Sequence, residues 1–205
     1  MADRVALVTG SSGAIGRAVA IRFAAEGCRI VLCGRRRDRL ADLAAELPGG
    51  PHAQRTFDVT DVDAMTKAVD WTMSEFGRID VLVNNAGGWS GSELAPFVEK
   101  TYAQLAKEIE DNLTATVLLS RAVLPGMLER EYGRIVNVSS IAGIVGLAGH
   151  GAYSAAKAGQ AGLARQLATE YGGSGITVNC VAPGPVSTPM LEDLIEAGDP
   201  GILAM

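Results

Sequence analysis

Histidine and cysteine are scarce in this chain. Its 205 residues include two histidines, His52 and His150, and three cysteines, Cys28, Cys33 and Cys180. Three or four His/Cys ligands at zinc spacing cannot be assembled locally from these, so a zinc dehydrogenase is disfavoured and no metal site is expected. The cysteine count is odd and no C-x-x-C occurs, so the thiols read as small buried hydrophobes of a reducing compartment. A cytoplasmic location is the expectation. No apolar h-region precedes the first glycine, so no secretory leader is expected. No uncharged apolar run reaches about 18 residues outside a segment rich in Gly and polar residues, so no membrane span is expected either. An excess of positive charge is also missing. Lys and Arg total 18 against 23 Asp and Glu, a net charge of −5, which disfavours nucleic acid or an anionic membrane as a partner held by bulk charge.

Glycine, by contrast, is abundant: 25 of 205 residues, where about 7% is usual. No G-x-y period exists, so these residues serve turns and close backbone approaches. The composition, 48% hydrophobic and 20% charged, is globular, and the length fits one domain spanning residues 1–205. Short, continuous apolar runs alternate with helical patterns. Strands are predicted at Val5–Thr9, Arg29–Cys33, Ala53–Phe57, Ile79–Val83, Arg134–Val138 and Ile176–Val181. Helices are predicted at Ala14–Glu26, Arg37–Leu47, Val62–Phe76, Thr101–Glu129 and Ala152–Tyr171, with Asp61 as the N-cap of the third. Continuous apolar strands are those buried on both faces. The repeating β-α-β order therefore predicts an α/β fold with a doubly wound, Rossmann-like parallel sheet.

In such a sheet the ligand sits at the carboxyl ends of the strands. The first strand runs into Gly10-Ser11-Ser12-Gly13-Ala14-Ile15-Gly16. Glycines there allow a sharp turn and close approach to a pyrophosphate, the helix N-terminus offers N–H groups, and Ser11 and Ser12 can add hydroxyl donors. Gly10, Ser11, Ser12, Gly13, Ile15 and Gly16 are accordingly expected to contact a dinucleotide. An acidic residue at the end of the second strand would favour NAD. This chain has Gly34 followed by Arg35, Arg36 and Arg37, which suits a 2′-phosphate, so NADP(H) is expected in preference to NAD(H), with Arg35 and then Arg36 as contacts.

Tyr153 and Lys157 stand i, i+4 on one predicted helix. An ammonium beside a phenol is expected to stabilise the phenolate and lower the phenol pKa from about 10. Tyr153 then becomes a general acid/base. Ser140 ends the preceding strand, where it can donate a hydrogen bond to a developing oxyanion.

At this point the chain resembles the short-chain dehydrogenase/reductase family, main reductase branch. The matching residues are Thr9-Gly10-x-x-x-Ala14-x-Gly16, Asn84-Asn85-Ala86-Gly87, Asn112, Ser140, Tyr153-x-x-x-Lys157 and Pro183-Gly184 with Thr188. The resemblance implies Tyr153 as acid/base and Ser140 as substrate-orienting donor. It implies that Lys157 also binds the nicotinamide ribose, as Tyr153 neighbours it, and that Asn112 holds the water of a proton relay. It places Asp58 and Val59 beside adenine, Asn85, Ala86 and Gly87 along the adenosine half, and Pro183, Gly184, Val186 and Thr188 at the nicotinamide. The subfamily likeness is to 3-oxoacyl thioester reductases and alicyclic hydroxyacyl-CoA dehydrogenases, so the substrate expected is a small carbonyl or alcohol compound. Trp89 could line its pocket or pack its own loop, and His150 reads as a loop histidine. The resemblance further implies a homodimer or homotetramer through the 101–129 and 152–171 helices. It also implies a lid, a helix and a seventh strand after the sixth, so the chain is expected to be C-terminally incomplete. A non-catalytic dinucleotide-binding module and an inactive truncated reductase are the competing readings.

Overall fold

The computed structural model describes residues 2–88 and 95–187. Six parallel strands make one sheet: β1 Val5–Thr9, β2 Arg29–Gly34, β3 Ala53–Thr56, β4 Val81–Asn84, β5 Gly133–Val138 and β6 Ile176–Val181. Their order is β3-β2-β1-β4-β5-β6. The direction of winding changes between β1 and β4, so the connections leave to opposite sides there and open a crevice at the strand ends. The helices are α1 Ala14–Ala25, α2 Arg37–Glu46, α3 Val62–Phe76, α4 Tyr102–Ile109, α5 Ala115–Glu129 and α6 Gly151–Tyr171.

The apolar runs are continuous because each strand feeds two cores. Val5 and Leu7 of β1 pack with Met65 and Val69 of α3, Leu119 and Val123 of α5, and Leu167 of α6. Ala6 and Val8, pointing the other way, pack with Ala20 and Ala24 of α1 and Leu40 and Leu43 of α2. Side chains alternate across a strand, so a strand covered on both faces needs an apolar residue at every position. Asp61 caps α3 as expected, accepting the Ala64 N–H.

The predicted helix Thr101–Glu129 is not one regular helix. A capping box between Thr101 and Gln104 opens α4, and a π turn over Glu110–Thr114 separates α4 from α5. Side chains explain the break. The Asn112 amide donates to the Glu108 carbonyl, while the Thr116 hydroxyl and the Gln160 amide donate to the Asn112 carbonyl. Such insertions into the i→i−4 ladder widen a helix locally.

β4 starts two residues later than predicted, at Val81. Asp80 precedes it with its side chain fully buried. Its carboxylate accepts the Val5 N–H at 2.9 Å and the Arg78 guanidinium at 2.6 and 2.7 Å, with Arg4 at 3.3 Å. The amino ends of β1 and β4 are thereby locked together, and their carboxyl ends are left to form the crevice.

Candidate active site

The turn after β1 and the turn after β4 are built against each other. Gly10 has φ +62°, and a Cβ there would stand 2.9 Å from Asn85 Nδ2 and 3.0 Å from Ala86 Cα. A Cβ on Gly16 would overlap the Gly10 carbonyl oxygen and come within 2.7 Å of the same amide. Asn85 Nδ2 donates to the carbonyls of Thr9 and Gly10 at 3.0 and 3.1 Å. The Thr9 hydroxyl accepts the N–H groups of Asn85 and Ala86 at 3.0 and 2.9 Å. Thr9 is thus the pin between the two turns, a role that its bare position at a strand end does not advertise.

Ser11 differs from expectation. It is fully buried, its hydroxyl donates to the Val8 carbonyl at 2.5 Å and accepts the Cys33 N–H at 2.9 Å, and its own N–H donates to the Cys33 carbonyl at 3.1 Å. The side chain that was expected to offer a phosphate donor instead joins β1 to β2. Ser12 and Ile15 are half-buried, and Gly13 is exposed as the N-cap of α1, with no side chain closing the cap. An open helix N-terminus beside glycines that admit no Cβ fits the pyrophosphate of a dinucleotide.

Arg35 and Arg36 follow β2 and are exposed. One Arg35 guanidinium nitrogen lies 3.9 Å from an Asp58 carboxylate oxygen. Burial opposes ionisation of Asp58, but hydrogen bonds from the Thr60 N–H and hydroxyl, with Arg35 and Lys107 nearby, hold its carboxyl below the usual range. Val59, next to it, packs onto the core that holds α3. The structure therefore brings the ends of β2 and β3 together at one edge of the crevice.

On the other side of the crevice, Ser140 follows β5 and Tyr153 and Lys157 lie on α6. Ser140 Oγ accepts the Ala142 N–H at 3.1 Å, and its hydroxyl is close enough to the Tyr153 phenol to favour ionisation of that phenol. Lys157 Nζ lies 5.6 Å from the Tyr153 ring centroid. It donates to the Val138 carbonyl at 2.8 Å and stands 3.5 Å from Gln160 Oε1. Burial pushes the Lys157 pKa down to about 8, opposed weakly by Cys180. Burial also pushes the Tyr153 phenol up, more than the neighbouring Ser140 hydroxyl lowers it. The expected lowering of the phenol by Lys157 is thus reversed. In a dry site neither charged form is favoured, and the ammonium is turned to a backbone carbonyl.

Asn112 is fully buried in the π turn. Its Oδ1 accepts the Gly88 N–H at 2.8 Å, and its Nδ2 donates to the carbonyls of Gly88 and Glu108 at 3.1 and 2.9 Å. Its carbonyl takes the Gln160 amide at 2.7 Å and the Thr116 hydroxyl at 2.8 Å. The amide and carbonyl of Asn112 are thus engaged by Gly88, Glu108, Thr116 and Gln160. Gln160 was missed, although a polar residue three positions after Lys157 on the inward face of α6 is a readable signal. Gly87 is exposed and Ala86 half-buried at the β4 turn. Beyond β6, the Pro183 carbonyl accepts the Ile141 N–H at 2.9 Å, and Gly184 and Val186 are exposed. Thr188 and Trp89 lie outside the described residues. Among the described residues no helix is long and apolar enough to cross a membrane.

A parallel sheet with a switch point, an open glycine-lined helix N-terminus and a Ser–Tyr–Lys group across the crevice define a Rossmann-type oxidoreductase that binds a nicotinamide dinucleotide. The chain belongs to the short chain dehydrogenase family, whose model matches residues 4–198. It is 40% identical over 196 residues to BbsD of Thauera aromatica, a subunit of (2S)-(R)-hydroxy(phenyl)methylsuccinyl-CoA dehydrogenase, covering 95% of this chain and 77% of that one. It is 35% identical over 204 residues to the 3-oxoacyl-acyl-carrier-protein reductase FabG of Haemophilus influenzae, covering 100% and 83%. The solved structure of levodione reductase superposes with a TM-score of 0.91 at 37% identity, covering 98% of this chain and 78% of that one.

Proposed function

We propose that this protein interconverts a ketone and a secondary alcohol with NADP(H), and that its substrate is a 3-oxoacyl thioester or a close analogue. The observation that carries the reading is Lys157, buried on the face of α6 that carries Tyr153, with its Nζ 5.6 Å from the phenol ring centroid, and Ser140 beside that phenol. The nicotinamide, when bound, supplies or accepts the hydride. Tyr153 passes its proton to the carbonyl oxygen as the alcohol forms, and takes it back in the reverse direction. The Ser140 hydroxyl donates to that same oxygen, and Lys157 holds the ribose beside it. The names of two relatives, a hydroxy(phenyl)methylsuccinyl-CoA dehydrogenase subunit and a 3-oxoacyl-acyl-carrier-protein reductase, support the thioester. Oxidation of NADPH against a panel of ketones, diketones and 3-oxoacyl thioesters tests the reading. NADPH binding without consumption of any of them would overturn it.

The cofactor preference rests on Arg35, exposed at the crevice edge and within 3.9 Å of Asp58. Arg35→Ala is expected to weaken NADPH roughly tenfold or more, the loss of one charge-assisted bond, and to leave NADH nearly unchanged. Fluorescence titration of both cofactors measures it, and equal losses would remove Arg35 from the phosphate site. The 101–129 and 152–171 helices are proposed to pair with a second copy, giving a homodimer or homotetramer. Light scattering of the purified protein at the mass of one chain would refute that.

A further inference from the structure

We propose that the buried Lys100–Glu108 ion pair is a positioning device that sets the first turn of α6, and with it Tyr153, against the π turn that carries Asn112. This rests on the reading of Tyr153 as the acid/base. Both side chains are 1% exposed, with Lys100 Nζ 2.9 Å from Glu108 Oε1. The other carboxylate oxygen, Oε2, accepts the N–H groups of Ala152 and Tyr153 at 2.8 and 3.1 Å. These belong to the first turn of α6, whose N-cap residue, His150, provides no side-chain cap. A carboxylate from α4 therefore caps the helix that carries Tyr153, at its positive end. The main-chain carbonyl of the same residue accepts the Asn112 amide at 2.9 Å. One residue thus touches the backbone of Tyr153 and the side chain of Asn112.

The surroundings are fitted to the pair. Gly151 has φ +50°, and a Cβ there would lie 2.7 Å from Lys100 Cδ and 3.0 Å from Glu108 Oε2. A buried ion pair is a poor way to gain stability, because desolvation of both charges offsets their attraction and an apolar pair of similar volume often does better. A carboxylate, however, can accept the Ala152 N–H and share that of Tyr153 with the His150 carbonyl, which no apolar side chain could do. Lys100 cancels the charge that this carboxylate would otherwise leave unpaired in the interior. The arrangement makes sense as geometry rather than as adhesion.

Three variants of the full chain test it: Glu108→Leu, and the charge-free doubles Lys100→Met/Glu108→Gln and Lys100→Met/Glu108→Leu. Glu108→Leu is expected to lower kcat roughly 10- to 100-fold, the range for a small misplacement of a reacting group, with the dinucleotide Kd within about twofold because its proposed cradle lies on β1 and α1. The Gln double should recover most of kcat, since an amide oxygen still accepts N–H, and the Leu double should not. Should Glu108→Leu fail to fold, the two doubles carry the comparison without a buried charge. Amide hydrogen exchange at Ala152 reads the link independently of turnover, with protection kept in the Gln double and lost in the Leu double. Equal kcat and equal protection in the two doubles would overturn the inference. Proportional loss of kcat, cofactor affinity and melting temperature in both doubles would reduce the pair to a structural element. A wild-type chain inactive on every carbonyl would count against the acid/base reading of Tyr153 and leave the exchange result to decide the link.

Discussion

Tyr153→Phe is expected to lower turnover of a carbonyl substrate by roughly 10²–10⁴-fold while the dinucleotide still binds. The change removes one oxygen and keeps the ring, so packing on α6 is conserved and the loss reports proton transfer. Burial holds the phenol above its usual value. At neutral pH it is therefore protonated, the form that carbonyl reduction needs. Reduction should persist through neutral pH and fall only as the phenol ionises at alkaline pH, whereas alcohol oxidation, which needs a proton acceptor, should rise with pH. Lys157, pushed down to about 8 by burial, loses its charge before the phenol ionises, so the electrostatic support for a phenolate weakens on the way up. Steady-state rates in both directions from about pH 6 to about pH 11 check the profile, since the phenol lies above its reference value of about 10. Undiminished turnover in Tyr153→Phe would remove Tyr153 from the reaction.

Asp80→Ala is expected to be the most destabilising single substitution away from the crevice, costing about 3–5 kcal/mol, the usual result of breaking a buried charge cluster from one side. That is a large share of the roughly 5–15 kcal/mol that holds a domain folded. The low end applies, because the Arg4 and Arg78 side chains are 33% and 34% exposed and solvent screens them. The Val5 N–H would also lose its acceptor. Asp80→Asn should cost less, since an amide oxygen can still accept that N–H. Burial resists the charge on Asp80, but the Arg78 hydrogen bond, the Val5 N–H and the two guanidinium charges prevail and hold its carboxyl below the usual range. A folded pKa below the unfolded one contributes stability that is present above about 4 and lost as pH falls through the folded value. The gap in denaturation midpoint between wild type and Asp80→Asn should therefore be steady near pH 7 and shrink below about pH 4. A gap independent of pH would show that the charge is not what Asp80 contributes.

Both expectations rest on features that differ in how they are encoded. The six strands and their helices could be located from runs and periods within about ten residues, because a strand buried on two faces leaves an unbroken apolar run and an amphipathic helix leaves a 3.6-residue period. The Tyr153–Lys157 spacing is likewise local, and the strand-end turns follow once the sheet is accepted. The π turn was invisible, since nothing in Glu110–Thr114 itself breaks a helix. What breaks it is bonding from Asn112 and Thr116 together with Gln160, an amide 48 residues away on α6. The same holds for Ser11. Its type suggested a phosphate donor, but register places Cys33 opposite Thr9 and brings the β2 backbone onto its hydroxyl.

The sequence by itself thus determined the layers of this protein, the crevice side and which residues are proposed to react there, because periodicity and turn chemistry are properties of neighbours. Only the tertiary structure decided which polar groups are free and which are occupied. Asn85 meets Thr9 across 76 residues, Asp80 meets Val5 across 75, and Glu108 caps α6 from 44 residues away. Those partners are set by strand order and register, and a buried donor or acceptor takes whatever partner packing brings within reach, since leaving it bare costs more than any local preference.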